Sequence, residues 1–400
     1  MNRRDALKFL GATALVPVVY GAVPGGMRAY AQAAQKQPAG SIGNRILVLV
    51  ELKGGNDGLN SVIPYKDENL RRMRPSLVLN AEEMVTLGDG LAFHPALKPL
   101  MAAWDKGQLG ILRGVGYPQP NRSHFRSIEI WDTASKSEET LAEGWLARAF
   151  AQSRPPRDFA ADGLLVGAQE PGPLAGARTV ALANPEQFLR QARPLQARAG
   201  RTSESSSSLS HLLAVESDIV QAASRLGTAG AGATLSTVFP QTQFGNSVKA
   251  SMQVLASGAK VATIRLSLNG FDTHQNQPGT HANLLRQFSE GVIALRAALV
   301  ELGRWDSTLV MSYSEFGRRA AENASSGTDH GTAGVQFALG GRVKGGLYGE
   351  APRLDRLENG NLVHTVDFRS LYATVLERLW GADSAGVLRG RFAPLDLMRA

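Results

Sequence analysis

Four apolar runs along the chain have the length and composition of buried β-strands. They are rich in Val, Ile and Leu, and their apolar character is continuous, which is typical of parallel strands covered on both faces. The runs occupy residues 45–52, 109–116, 261–268 and 307–314. The pattern therefore predicts a central sheet whose two faces are both buried.

A helix is predicted between the last two of these strands. Apolar residues recur there at spacings of four and three, which places them on one face of an α-helix. They are Leu284, Phe288, Val292, Leu295, Leu299 and Leu302. Because strand, helix and strand in this order form a right-handed crossover, we expect an α/β fold with a largely parallel sheet sandwiched between helices.

The N-terminus has the features of an export signal. The pair Arg3 and Arg4 precedes an uncharged run over residues 9–23, and residues 29–31 fit a cleavage site between small residues. The paired arginines resemble the twin-arginine signal, which makes the twin-arginine export machinery an expected partner. The uncharged run is shorter than the roughly 20 residues of a spanning helix, so we expect a periplasmic or secreted protein with no permanent membrane span.

The remaining chain is expected to form one domain. We predict a signal peptide over residues 1–31, a linker over residues 32–44 and a single α/β domain over residues 45–400. Two stretches rich in Ser, Gly, Ala and Thr flank one predicted helix, which indicates a loop and helix insertion around residues 195–247.

Composition narrows the classes of function. The formal charge of +8 includes four basic residues and one acidic residue of the leader. The other positive charges form no dense tract apart from residues 70–74, so nucleic acid is not expected as a partner. The chain has no cysteine, which excludes disulfides and thiolate ligands. Any metal must therefore be bound by His, Asp, Glu or Ser.

Polar clusters follow all four predicted strands, at the sheet edge where ligands bind in open α/β folds. Asp57 follows the first strand in a glycine-rich turn. Ser123 follows the second strand near a predicted helix start, where free N–H groups and the helix dipole favour a phosphate or sulfate group. Arg122 and Arg126 are placed to add contacts to such an anion. Taken alone, Asp57 fits an ordinary turn and Ser123 an ordinary helix cap.

The clusters after the third and fourth strands contain histidine. Asp272 and His274 lie two apart in an extended segment, so their side chains point the same way and can bind one ion. Glu315 follows the fourth strand, and Asp329 and His330 lie in the Gly/Ser/Thr-rich loop beyond it. Imidazole and carboxylate ligands suit zinc, manganese or calcium, so we expect one or two divalent metal ions as cofactors.

Three other histidines are secondary candidate ligands, with packing or capping as the alternative. They are His124, His281 and His364. The first two belong to the predicted sheet edge. With His274 and His330 they make four of the seven histidines of the chain at this edge. A further alternative is that these motifs are hydrogen-bonded loop anchors that bind no metal.

Five motifs carry a resemblance to a known family. ELKGGNDGLNSVIPY, NRSHFRSIEIWDTA, GFDTHQNQ, SEFGRR and GTDHGTAG resemble the bacterial secreted family catalogued as domain of unknown function number 1501. That family is grouped with the alkaline phosphatase and sulfatase superfamily. The resemblance implies an alkaline phosphatase-like sheet between helices, two divalent metals at the strand ends, and a Ser, Thr or formylglycine nucleophile.

The resemblance also implies a role for each candidate residue. Asp57 would bind the second metal, Ser123 would be the nucleophile, and Asp272 and His274 would bind the first metal. Glu315, another predicted metal residue, would stand at the late strand end, and Asp329 with His330 would complete the shell. Two positions depart from the superfamily pattern. Phe316 stands where a histidine is usual, which weakens the second metal, and Phe125 replaces the proline of the sulfatase motif, which disfavours formylglycine chemistry.

We therefore predict a periplasmic, metal-dependent hydrolase of phosphate or sulfate esters whose substrate is an anionic small-molecule or polymer ester. Ser123 Oγ is expected to attack, while Arg122 or Arg126 offsets the charge of the transferred group. The alternative is a non-catalytic periplasmic binding or assembly protein that retains the hydrolase fold.

Overall fold

A nine-stranded sheet forms the centre of the molecule. The structure is a computed structural model that describes residues 42–156, 158–168, 170–182 and 234–399. The strands of all sheets are β1 (Ile46–Lys53), β2 (Val62–Ile63), β3 (Val85–Gly88), β4 (Leu91–Phe93), β5 (Leu109–Gly116), β6 (Ala161–Val166), β7 (Thr179–Leu182), β8 (Val261–Asn269), β9 (Thr308–Tyr313), β10 (Gly334–Leu339), β11 (Gly346–Tyr348), β12 (Leu357–Glu358), β13 (Asn361–Leu362) and β14 (Val366–Asp367).

Strand order in the large sheet is β11-β5-β10-β9-β1-β8-β6-β7, with β14 also paired to β5. The pairs that include β10 are antiparallel, and the other pairs of this sheet are parallel. Since β10 is antiparallel to both β5 and β9, strands β1, β5, β8 and β9 all run in one direction. These are the four strands predicted from the apolar runs, and each prediction is confirmed.

Helices cover both faces of the sheet. They are α1 (Gly58–Ser61), α2 (Glu68–Met73), α3 (Met101–Trp104), α4 (His124–Thr133), α5 (Trp145–Gln152), α6 (Gln243–Ala256), α7 (Gln277–Glu301), α8 (Phe368–Thr374) and α9 (Ser384–Leu388). Short 3-10 turns lie at Ala81–Glu83, Pro95–Leu100, Gly172–Leu174 and Trp305–Ser307, and a π-helical turn lies at Val375–Leu379. The predicted α/β class with a largely parallel sheet between helices is confirmed.

The two faces of the sheet belong to two separate cores, as the alternation of β1 shows. Val48, Val50 and Leu52 pack into the core that includes α6 and α7, while Leu47 and Leu49 pack into the core that includes α4, α5 and α8. Side chains two apart in a strand point to the same face, so a continuous apolar run is what a strand buried on both faces requires.

Helix α7 is the crossover predicted between β8 and β9. Its buried face contains Leu284, Phe288, Val292, Leu295 and Leu299. Leu302 is its C-cap residue. None of the helices in the described ranges combines the length and the apolar content that a bilayer crossing requires.

Parts of the predicted domain organisation lie outside the described residues. They are the signal peptide, residues 32–41 of the linker and residues 195–233 of the insertion. Within the remainder of the insertion, residues 243–247 form the first turns of α6.

Candidate metal centre

The loops that leave β1, β5, β8 and β9 meet at one edge of the sheet. The backbone N–H of Gly54, after β1, donates to Glu315 Oε1 at 2.9 Å, after β9. His124 lies on the first turn of α4, after β5, and its Nδ1 is 2.8 Å from the same Glu315 oxygen. Because parallel strands bring their carboxyl ends together, segments far apart in sequence share this edge.

Three imidazoles converge on the carboxylate of Asp272. His274 Nε2 and His330 Nε2 each lie 3.1 Å from Asp272 Oδ1, and they are 2.9 Å from each other. His124 Nε2 lies 3.3 Å from the other oxygen, Asp272 Oδ2. Two of these histidines and Asp272 were expected from the DTH and DHG motifs, and His124 was a secondary candidate. The structure brings all four together.

The Nδ1 atom of each imidazole faces an oxygen acceptor. His124 Nδ1 faces Glu315 Oε1 at 2.8 Å, and His330 Nδ1 faces the carbonyl oxygen of Arg122 at 2.8 Å. An acceptor at Nδ1 selects the neutral tautomer with its proton there, which leaves a lone pair on Nε2. The Nε2 of His124 is buried and has no hydrogen-bond partner.

His274 follows the same pattern from the loop after β8. Its Nδ1 lies 3.4 Å from Asp329 Oδ1, and Asn323 Nδ2 donates to that oxygen at 3.1 Å. Three Nε2 lone pairs and a carboxylate therefore face one point.

This donor set fits a divalent metal ion. Ligand atoms of His124, Asp272 and His330 lie within 4.8 Å of one another. Lone pairs in such proximity repel unless a proton or a cation lies between them, and nitrogen with carboxylate oxygen is the ligand type of zinc or manganese. His274, whose Nε2 contacts both Asp272 and His330, extends the set.

Local electrostatics keep Asp272 ionised. Burial raises the pKa of its carboxyl, but the hydrogen bond and the positive charge of Arg318 contribute to lowering that pKa to about 2. The hydrogen bond to Glu315 raises the pKa of His124 against the opposing effect of burial, and burial lowers the pKa of His330. Asp272 is thus charged at neutral pH, and the lowered pKa of His330 favours the neutral imidazole, the form in which histidine binds metals.

Glu315 and Asp329 lie behind the converging histidines. Glu315 is 2% exposed and contacts His124 Nδ1, on the side of the ring away from Asp272. Asp329 takes the same position behind His274 and is exposed. A carboxylate behind a histidine ligand fixes the ring orientation and raises its basicity. The structure therefore places these two predicted ligands where they would orient the rings of His124 and His274.

Asp57 belongs to a different, fully buried network. Its Oδ2 accepts from Arg74 Nη1 and from Gln277 Nε2, both at 2.6 Å. Burial raises the pKa of the Asp57 carboxyl, but Arg74, His281 and Gln277 together lower it below its usual value. His281 lies in the same network, with its Nε2 3.1 Å from Asn56 Oδ1, and burial lowers its pKa to about 4.

Ser123 is the N-cap residue of α4, but its side chain makes no cap hydrogen bond. It is exposed and lies between Arg122, whose carbonyl contacts His330, and His124. Arg126 is directed away, since its Nη2 donates to backbone carbonyls of residues 136, 137 and 139. The secondary candidate His364 lies in the loop after β13, beside Gly116 at the end of β5.

Two residues of the SEFGRR motif that were not assigned a role line the site. The ring of Phe316 packs against His330 and His124, with centroid separations of 4.5 and 4.9 Å. Arg318 is buried and its Nη2 donates to Asp272 Oδ1 at 2.7 Å. Their position directly after β9 could have indicated that both residues lie at the site, but an arginine following a strand is usually exposed.

Residues 80–388 match the family described as "Protein of unknown function (DUF1501)". That range contains all four converging residues and excludes β1 with Asp57. Among curated proteins, none matches the sequence.

Solved structures with similar folds have low sequence identity. A sulfatase, PsFucS1 from Pseudoalteromonas sp., is 10% identical with a TM-score of 0.41, over 94% of this chain and 75% of that chain. The lipoteichoic acid synthase LtaP from Listeria monocytogenes is 10% identical with a TM-score of 0.39, over 94% and 81%. A protein in the alkaline phosphatase superfamily from Vibrio parahaemolyticus is 9% identical with a TM-score of 0.38, over 93% and 79%. The likeness concerns the fold alone.

Proposed function

The chain belongs to the DUF1501 family of proteins of unknown function, and from the geometry of its site we propose that it is a periplasmic, metal-dependent hydrolase of phosphate or sulfate esters. The observation that carries the proposal is the convergence of three imidazole Nε2 atoms on Asp272, each imidazole held from behind by an oxygen acceptor. When bound, a divalent ion supplies Lewis-acid polarisation of the ester oxygens.

Ser123 is the proposed nucleophile. Its Oγ is exposed, takes no part in capping, and lies at the N-terminus of the ten-residue helix α4. Unpaired N–H groups of the first turn and the helix dipole favour the negative charge of a phosphate or sulfate group. Ser123 Oγ would lose its proton to solvent and bond to phosphorus or sulfur as the alcohol oxygen departs and takes up a proton, and water would then hydrolyse the seryl ester and restore the hydroxyl.

Arg122 is the proposed anion contact. Its side chain is exposed next to Ser123, and its carbonyl is tied to His330, so the residue is fixed at the metal centre. Arg126 was the other candidate, but it forms an ion pair with Glu129 at 2.8 Å and donates to the loop after α4. The anionic ester would therefore be held between Arg122 and the start of α4.

Metal content and ester hydrolysis test the proposal together. We expect the purified protein to contain a divalent ion that Asp272→Ala/His330→Ala loses, and Ser123→Ala to keep the ion while hydrolysing aryl phosphates or sulfates roughly 10³-fold or more slowly. Elemental analysis and a chromogenic ester assay are the measurements.

Matched variants control for effects of substitution that are unrelated to the site. Asp355→Ala/His364→Ala removes the same two residue types, one exposed and one half-buried, from loops outside the converging cluster, and Ser137→Ala removes a half-buried serine. Both are expected to behave as wild type. A protein that binds the ion but hydrolyses no ester would support the alternative, a non-catalytic binding or assembly protein. Absence of any ion after reconstitution would defeat the metal-dependent hydrolase and leave the binding or assembly alternative standing.

A further inference from the structure

Arg318 is a cation built into the centre of the candidate site. Its side chain is fully buried and lies directly against Asp272, with Nη2 at 2.7 Å from Oδ1. A buried arginine is stable only when its donors are satisfied, and here they are.

The acceptors around this guanidinium come from three different loops. Nε donates to the carbonyl of Gly55 at 2.8 Å, Nη1 to that of Thr328 at 2.8 Å, and Nη2 to those of Phe271, at 2.8 Å, and Gly54. Together with Asp272 Oδ1, five oxygen atoms surround the group. Carbonyl and carboxylate oxygens are also the ligands of a hard divalent cation such as Ca²⁺, whose shell of roughly six to eight oxygens water would complete here.

The other carboxylates that could bind a second metal already take part in an ion pair or in hydrogen bonds. Asp57 is ion-paired with Arg74, which is itself fully buried, and Glu315 receives His124 Nδ1 and the N–H of Gly54. Neither carboxylate is directed at the point where the three imidazoles converge. The remaining ligand set is sufficient for one ion.

We infer that the centre binds a single divalent ion and that the guanidinium of Arg318 fills the place, and supplies the charge, of a second cation. This rests on the proposed metal site but not on ester hydrolysis. Arg318 also joins the loops after β1, β8 and β9, so it positions Asp272 as well as neutralising it. It is a positioning residue, since its contacts are to a ligand and to backbone.

The stoichiometry of metal binding tests the inference. Wild-type protein is stripped with a chelator, dialysed against Zn²⁺ with and without Ca²⁺, and analysed for both elements. We expect one equivalent of Zn²⁺ and no Ca²⁺. In Arg318→Ala the five oxygens lose the guanidinium that they bind, and we expect one equivalent of Ca²⁺ to bind among them. Free guanidinium at millimolar concentration should compete with this Ca²⁺ and displace it. Two equivalents in the wild type would overturn the inference, as would an Arg318→Ala protein that binds no Ca²⁺.

Two further variants keep the test decisive. Arg265→Ala removes another buried arginine, which pairs with Glu51 at 2.8 Å on the neighbouring strand, and it is expected to gain no Ca²⁺. If Arg318→Ala does not fold, Arg318→Gln is measured with the same expectations. One equivalent of Zn²⁺ without ester hydrolysis would leave this inference standing and defeat the proposed function.

Discussion

At the scale of single residues, the centre repeats one arrangement with three different partners. Each histidine presents Nε2 to Asp272 and gives Nδ1 to an oxygen: a buried carboxylate for His124, an exposed carboxylate for His274 and a backbone carbonyl for His330. The partners differ in charge and burial, so the histidines should depend on them unequally. A buried charged acceptor interacts most strongly, because water screens it least.

Glu315→Gln should therefore weaken metal binding about 10- to 100-fold without unfolding the protein. The amide still fits the space but lacks the charge that holds the proton on His124 Nδ1. A competition titration with a fluorescent chelator measures the dissociation constant. Glu51→Gln is the control, because Glu51 is equally buried and pairs with Arg265 away from the histidines. Equal affinities for Glu315→Gln and wild type would contradict the positioning role.

At the scale of elements, α7 connects the sheet core to the polar network around Asp57. Its middle packs Phe288 and Leu295 into the core, while its first turns bring Gln277 to Asp57 and His281 to Asn56. The helix is thus fixed at its N-terminus by buried polar contacts and along its length by apolar ones. His281 is buried without a hydrogen bond to Nδ1, which makes its protonation costly.

Acid should therefore destabilise the protein through His281. Its pKa is about 4 in the folded state against 6.5 as the ordinary value, so the unfolded chain binds the proton more tightly. The stabilisation is fully present above pH 6.5 and is lost as pH falls to 4, by about 3 kcal/mol. Urea unfolding of the metal-free protein at several pH values measures it.

His281→Gln should remove this part of the pH dependence, while His364→Gln should retain it. The comparison isolates His281 because each variant changes one histidine and leaves the histidines around Asp272 unchanged. Parallel stability curves for wild type and His281→Gln between pH 6.5 and 4 would show that burial does not suppress the protonation of His281.

At the scale of the whole molecule, the sheet separates two cores, and the residues of the candidate site lie at one of its edges. One antiparallel strand, β10, lies between β5 and β9, yet the four strands that lead into the site keep a common direction. The site draws on segments from Gly54 to His330, so it exists only in the folded chain. A site assembled from such distant segments fits the proposed twin-arginine route, which carries folded proteins.

The twin-arginine pair should therefore be required for export. We expect the Arg3→Lys/Arg4→Lys variant to remain in the cytoplasm and the wild type to reach the periplasm, as measured by cell fractionation. Arg71→Lys/Arg72→Lys changes another arginine pair, in α2, and should be exported normally. Periplasmic recovery of the Arg3/Arg4 variant at the wild-type level would contradict the proposed route.

The sequence alone determined the elements and the neighbourhood of the site. Continuous apolar runs predicted β1, β5, β8 and β9, and the 3.6-residue period predicted α7, because these patterns depend only on which side of an element is buried. The spacing of Asp272 and His274 predicted that their side chains meet, and they do, although residue 274 lies in a bend of the chain. The motifs also identified the family correctly.

Tertiary structure decided which atoms meet. Periodicity gives a side chain's direction relative to its own element, but not which loop packs opposite it. Asp57 was expected to face the metal, and it pairs instead with Arg74. Glu315 supports His124 from behind, and Arg318 is buried in a cradle of carbonyl oxygens from three loops. Such contacts are set by the requirement that every buried charge find a partner in the assembled fold, a condition no single segment contains.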